Sequence, residues 1–212
     1  MAYELDIYFD AKMTAQETVP ATLEDAERVQ AYIRWVNETH SQKGYDKGEP
    51  VPEEYFPRTA RFSKGKRLFD YQKIAHFLAV STRFKDLVES FEPRGHQFVP
   101  VEVYHKDGSH YGTYWYFVIC SLIEAINPAT GGVKQVWFVP ESRRAERPNA
   151  FGWDINWGSG KEPAVFADKV AGRAAWRDKR YPVPSFFSDA FVEQLTVQGM
   201  QGYTTVRRWL EL

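Results

Sequence analysis

The sequence predicts an α+β protein, in which a mixed, largely antiparallel central sheet packs against a few amphipathic helices and long surface loops join them. Three observations lead there. Apolar residues alternate at the start of the chain; apolar residues recur at helical spacing behind Thr22, Ser81 and Ser188; and an Asp-Gly pair follows an alternating run and precedes an aromatic one. With 212 residues, 43% of them hydrophobic and 16% aromatic, the chain is long enough to bury a core without disulfides or metals. One compact domain is expected, made of an N-terminal strand, helix and polar excursion over residues 1–66 and an α+β core over 67–212.

Tyr3, Leu5, Ile7 and Phe9 alternate with Glu4, Asp6, Tyr8 and Asp10, the period of a strand with one buried face. Thr22 followed by Asp25 then starts a helix over about 22–38, with Leu23, Ala26, Val29, Ile33 and Val36 on its apolar side. Residues 39–66 are rich in Pro, Gly and charge and read as a surface excursion. Behind Ser81, the residues Phe84, Leu87, Val88 and Phe91 gather on one helix face, and Glu92-Pro93-Arg94-Gly95 ends that helix.

Val99, Val101 and Val103 alternate before Asp107-Gly108, the dipeptide of a two-residue hairpin turn. That turn pairs His105 with His110, Val103 with Gly112 and Val101 with Tyr114. It also puts Pro100 at a hydrogen-bonded position opposite Trp115, so the ladder is expected to stop near Val101. Tyr116 to Ile123 is apolar on both faces and reads as the central strand. Residues 133–139 read as a further strand, and 140–163 as a long exposed connection. Ser188 caps a last helix that Gly199 stops, and Tyr203 to Val206 forms a final strand.

Lys and Arg total 27 against 28 Asp and Glu, a balance without the electrostatic footprint of a nucleic-acid partner. The longest apolar run is too short and too interrupted to span a bilayer, so no membrane partner is expected. A single cysteine and the absence of a signal-like opening point to the cytoplasm.

Chemistry is thinly spread. His105 and His110, as cross-strand neighbours, are the sharpest metal pair, but no third ligand is indicated, and two solvated histidines at a hairpin tip are the plainer reading. Cys120 sits mid-strand, where a small buried hydrophobe is commoner than a nucleophile. Gly158 to Lys161 fails the phosphate-loop pattern, with Ile155 and Glu162 where Gly and Ser or Thr are needed. Asp154 between Trp153 and Trp157 suits a polar contact in an aromatic pocket, or two anchoring tryptophans. Arg143, Arg144 and Arg147, with Glu141 and Glu146 among them, read as a solvated loop or as an acidic partner's binding surface. No catalytic constellation and no cofactor motif emerges.

The order of the segments LAVSTRFKDLVESFEP, HQFVPVEVY, YWYFVICSLIEAIN and VPSFFSDAFVEQLTVQGMQGYTTV resembles immunity family eleven of bacterial polymorphic toxin systems, formerly a domain of unknown function. Matching positions are Val80, Ser81, Leu87, Gln97, Phe98, Pro100, Val101, Ser188, Leu195, Gly199 and Gly202, over roughly residues 70–208. Asn127 stands where that pattern has an aspartate, and Cys120 where it commonly has an asparagine. The resemblance implies a non-enzymatic inhibitor, without cofactor, whose partner is a cognate toxin. Specificity would then lie in variable loops, expected at 140–160 and 40–66, with Arg143, Arg144, Arg147, Trp153, Asp154 and Trp157 as contact residues.

Overall fold

The computed structural model describes residues 1–7, 17–38 and 48–212. In chain order its elements are β1 (Ala2–Ile7), β2 (Glu17–Pro20), α1 (Leu23–Glu38), β3 (Thr59–Lys64), β4 (Tyr71–Ile74), β5 (Phe77–Ser81) and α2 (Thr82–Phe91). They continue as β6 (Gln97–Tyr104), β7 (His110–Val118), β8 (Leu122–Ile123), β9 (Val133–Trp137), β10 (Phe151–Ile155), β11 (Ala164–Val165) and α3 (Ala167–Val170). Last come β12 (Ala175–Asp178), β13 (Tyr181–Ser188), α4 (Asp189–Val197) and β14 (Tyr203–Glu211).

The fold is α+β with sheets dominant, and the strands divide between two sheets. One has the order β2-β3-β6-β7-β5-β4 and the other β11-β14-β1-β13-β12-β8, while β9 and β10 form a separate hairpin. Most pairings are antiparallel; β3 with β6, β11 with β14 and β8 with β12 are parallel. Between the sheets lies one core. It takes Phe84, Leu87 and Val88 from α2, Phe191 and Leu195 from α4, and Val80, Phe117, Leu5 and Phe187 from the facing strands. A second core, with Phe62, Phe77, Val101 and Tyr116, lies under α1 on the far side of the first sheet. A third, with Trp176, Phe186 and Trp209, lies beneath the β9–β10 hairpin. As expected, β7 is internal to its sheet and apolar on both faces, with Phe117 in one core and Tyr116 and Val118 in the other. It stops at Val118, however, and Leu122–Ile123, expected to continue it, cross to the other sheet as β8, parallel to β12.

The caps form as the sequence indicates. Ser81 Oγ accepts the Phe84 amide (3.3 Å) and Ser188 Oγ the Phe191 amide (3.3 Å). Ser81 has a second task, donating to Asp70 Oδ1 (2.7 Å), which also receives Arg83 Nε (2.6 Å). The Gln201 amide reaches Asp70 Oδ2 (2.8 Å), so one buried carboxylate joins the start of α2 to the turn after α4. Burial alone would raise the Asp70 carboxyl; the bonds from Arg83, Ser81 and Gln201 outweigh it and hold the group below the usual carboxylate range. At that same turn Gly202 has φ +100, and a Cβ there would strike the Tyr71 carbonyl. In α1, Thr22 Oγ1 accepts the Asp25 amide (3.1 Å), but the buried face is Asp25, Val29 and Tyr32, and Leu23 is 85% exposed.

Several expectations change. Phe9 and residues 39–47 lie outside the described residues. Residues 48–66, read as surface excursion, contribute Val51, Phe56, Ala60 and Phe62 to the second core, and β3 is an internal strand between β2 and β6. The cause is a distant partner: Gln97 Nε2 donates to the Val51 carbonyl (2.7 Å) and its Oε1 accepts the Val51 amide (2.8 Å). Strand β1 pairs with β13 and β14, so the first 66 residues are built into both sheets.

The turn at Asp107-Gly108 is a three-residue loop. The Gly108 amide bonds to the His105 carbonyl (3.1 Å), the His105 amide to the Ser109 carbonyl (2.8 Å), and Gly108 has φ +85. Tyr104 therefore pairs with His110, and a bulge restores Val103 opposite Gly112 and Val101 opposite Tyr114. The ladder also runs past Pro100 to Gln97 opposite Val118. The Glu102 amide points away from β7, to the Arg58 carbonyl (3.0 Å). By alternation Pro100 faces the same way, so its missing N–H removes no bond to β7.

Finally, 140–163 is not one loop, because β10 returns along β9 from Phe151 opposite Trp137 to Ile155 opposite Val133.

Candidate partner-binding surface

The β9–β10 hairpin places all six residues expected from the sequence. Trp153 and Ile155 alternate toward the third core, with Phe151 on the same strand face, while Asp154 points outward and is exposed, opposite Lys134. Trp153 and Trp157 are half-buried against that core, and Trp157 meets Trp209 edge-on (5.3 Å between centroids). The Arg207 guanidinium lies over Trp157 (4.6 Å), and Trp209 Nε1 donates to Glu4 (2.9 Å). The two tryptophans thus anchor the hairpin, and strand alternation puts Asp154 on the opposite face from Trp153.

The tip of the hairpin, residues 138–150, is closed by the Phe138 amide donating to the Ala150 carbonyl (2.8 Å). A 3-10 turn at Glu141–Arg143 follows Pro140. Arg144 stacks on Trp137 (5.1 Å), Trp137 meets Phe151 (5.5 Å), and Arg180 stacks on the other ring of that pair, Phe151 (4.1 Å). Arg143 is exposed and meets Glu146 at 3.5 Å; Arg147 is exposed. Phe138 is 73% exposed, and Val136, two residues earlier on the same strand face, is 38% exposed.

Phe138, Val136 and Arg180 were not among the sequence candidates. For the first two the signal was present: in VKQVWF, Lys134, Val136 and Phe138 fall on one face, opposite Val133 and Trp137, which leaves two apolar side chains outward. Arg180 reaches the hairpin from the β12–β13 turn, and no local pattern announces that. Phe138 also fits against Gly152, where a Cβ would come within 2.7 Å of the Phe138 ring and of the Arg180 carbonyl.

Elsewhere the reactive side chains serve packing. With the three-residue loop, His105 and His110 are not paired: His105 stacks on Phe62 (5.5 Å) and His110 Nε2 meets Glu102 (2.6 Å). No group of three or more His, Cys, Asp and Glu suited to a metal occurs among the described residues. Glu92, His96 and Cys120 do line up as acid, imidazole and thiol. His96 Nδ1 accepts the Cys120 amide (3.3 Å), so Nε2 carries the proton shared with Glu92 at 3.1 Å. The nitrogen a base would need is thereby occupied by main chain. The thiol donates to the Val118 carbonyl (3.4 Å), and burial pushes its pKa up, away from the thiolate. Glu92 Oε2 also accepts the amides of Ala174 (2.6 Å) and Ala175 (3.1 Å), so this group ties α2 to the start of β12.

A cleft of about 470 Å³ opens beside β1, walled by both signs of charge, including the Glu4–Arg207 pair (3.4 Å). No helix among the described residues is long and apolar enough to cross a membrane.

The model of a family described as "Immunity protein family (Imm11)" matches residues 7–205. The match extends through most of the N-terminal stretch that the sequence segments left out. No curated protein matches the chain.

Proposed function

Because this chain belongs to the Imm11 immunity protein family, we propose that it neutralises a cognate bacterial toxin by binding it through the β9–β10 hairpin and its tip. One observation carries the choice of surface: Phe138, 73% exposed, and Val136 stand outward on a hairpin whose tip holds Arg143, Arg144 and Arg147 and which Trp153 and Trp157 anchor to the core. A large apolar side chain held in water, with arginines on the adjoining tip, matches the make-up of interface hot spots. Arg147 is exposed to meet carboxylates in forked geometry, Arg143 does so beside Glu146 (3.5 Å), Arg144 offers its edge from the Trp137 ring, and Asp154 lies at the rim.

The partner is therefore a protein with an acidic face around an apolar recess. Association is steered by charge and held by the aromatic contact. The chain acts stoichiometrically in the cytoplasm of the cell it protects, with no catalytic step and no cofactor; a free cysteine suits that compartment. Because Val51, Phe56, Ala60 and Phe62 of the 48–66 stretch are core, the reading rests the contact surface on 133–157.

The test is co-expression with the toxin encoded beside this chain. Cells are expected to survive with the wild type and to die with the combined reversal Arg143→Glu, Arg144→Glu and Arg147→Glu at equal protein level. Death with the wild type removes the functional reading; survival with the folded reversal variant removes the surface.

A further inference from the structure

We infer that the open edge of β9 is a strand-addition site. An extended segment of the toxin would pair with it as a third strand, bringing a carboxylate near Lys134 and apolar side chains near Val136 and Phe138. This rests on the toxin-binding reading above and specifies how the partner is held.

The hydrogen-bond pattern defines the edge. The Phe138 amide donates inward to the Ala150 carbonyl (2.8 Å), so alternation turns the main chain of Trp137, Gln135 and Val133 away from β10. The opposite strand agrees: the Trp153 amide, across from Gln135, donates away from β9 to the Arg180 carbonyl (2.9 Å). The outer side of β10 is thus met at Trp153 by the β12–β13 turn, whereas β9 has β10 as its one strand partner among the described residues. Three amides and three carbonyls at alternate residues are the template that an added strand reads.

Other long edges in the molecule are guarded. Strand β14, which β11 covers only at Leu210 and Glu211, has exposed Arg207 and Arg208 and a register shift against β1, and β2 ends in Pro20. The residue after β4, Ala75, donates its amide to Thr18 Oγ1 (3.2 Å) on β2, which draws the two edges of the first sheet together. By contrast β9 contains one charge, Lys134, and no proline, and it is flanked by exposed Phe138. Residues 133–155 hold Lys134, Arg143, Arg144 and Arg147 against Glu141, Glu146 and Asp154, an excess of one cation in a chain of net charge -1, with Asp154 on β10 opposite Lys134. That local excess selects an acidic strand.

The experiment is residue-resolved amide exchange of the full chain, alone and saturated with the toxin encoded beside it, together with affinities of Gln135→Pro and Gln135→Ala. Proline at 135 deletes an outward N–H and leaves the bonds to β10 in place. The amides of Val133, Gln135 and Trp137 are expected to exchange fast in the free chain and slowly in the complex, while those of β14 do not change. Gln135→Pro is expected to bind about tenfold more weakly or worse, and Gln135→Ala like the wild type. Toxin bound with unchanged exchange at the three amides overturns strand addition and leaves the functional reading standing. Toxin not bound at all removes both. Should Gln135→Pro fail to fold, the exchange pattern of the wild type decides alone.

Discussion

Replacing Phe138 with alanine separates binding from folding. An aromatic side chain buries about 150–250 Å² when fully enclosed. Since Phe138 is 73% exposed in the free chain, roughly 110–180 Å² remains to be covered by a partner, equivalent to about 3–4 kcal/mol at ~25 cal/mol per Å². Alanine retains part of that area, which leaves a loss of about 2–3 kcal/mol, or roughly 30- to 150-fold in Kd. Folding should barely register the change, because so little of the ring is enclosed; about 0.5 kcal/mol or less is expected from the Gly152 contact. Calorimetric titration with the toxin gives the affinity, and thermal unfolding of the free variant gives the stability. Leu23→Ala is the control, since Leu23 is 85% exposed on α1, outside the hairpin. Equal affinity of Phe138→Ala and wild type refutes the hot-spot argument, as does a loss that Leu23→Ala reproduces.

Reversing Arg143, Arg144 and Arg147 together is expected to abolish the salt dependence of toxin association while costing about 0.5 kcal/mol of stability per site, somewhat more at Arg144 because of its Trp137 stack. Unchanged salt dependence across a titration in sodium chloride would retire the charge-steering claim. Leu87→Ala and Leu195→Ala empty positions in the core between the sheets, and each is expected to cost about 2–5 kcal/mol in urea unfolding. Acid sensitivity follows from Asp70, Asp25 and Glu92, in each of which burial is outweighed by hydrogen bonds so that the carboxyl is lowered. Their stabilisation is full above the unfolded carboxylate pKa of about 4 and is lost as pH falls through the lower folded values. Glu4 and Asp178 are raised by burial and act in the opposite sense, relaxing as they protonate. Unfolding free energy should therefore hold or rise slightly on mild acidification and then drop below about pH 4, and Asp70→Asn should flatten that drop; an unaltered acid limb in Asp70→Asn would contradict the assignment.

What was legible in the sequence depended on local rules. Ser81 and Ser188 could be read as caps because the hydroxyl and the amide it accepts lie three residues apart, and the pairing of Val101 with Tyr114 survived because two register changes cancel. The turn itself was misread: Asp-Gly serves both two-residue and three-residue loops, and here Asp107 Oδ1 accepts the Ser109 amide (2.9 Å), stabilising the latter. Residues 48–66 look polar in isolation, and only the Gln97 clamp on Val51 and the pairing of β3 with β6 make Phe56 and Phe62 core. The same holds at the surface. Arg143, Arg144 and Arg147 were visible as charge, whereas the stack of Arg144 on Trp137 and of Arg180 on Phe151 needed β10 to fold back along β9.

The most direct measurement is the titration of toxin activity with purified chain. Binding by clasping requires inhibition that ends sharply at a fixed ratio of one chain per toxin, reverses when the complex is separated, and leaves the toxin chemically intact. Inactivation by a small fraction of an equivalent, with a toxin that stays dead or altered in mass after separation, would show turnover and contradict the account.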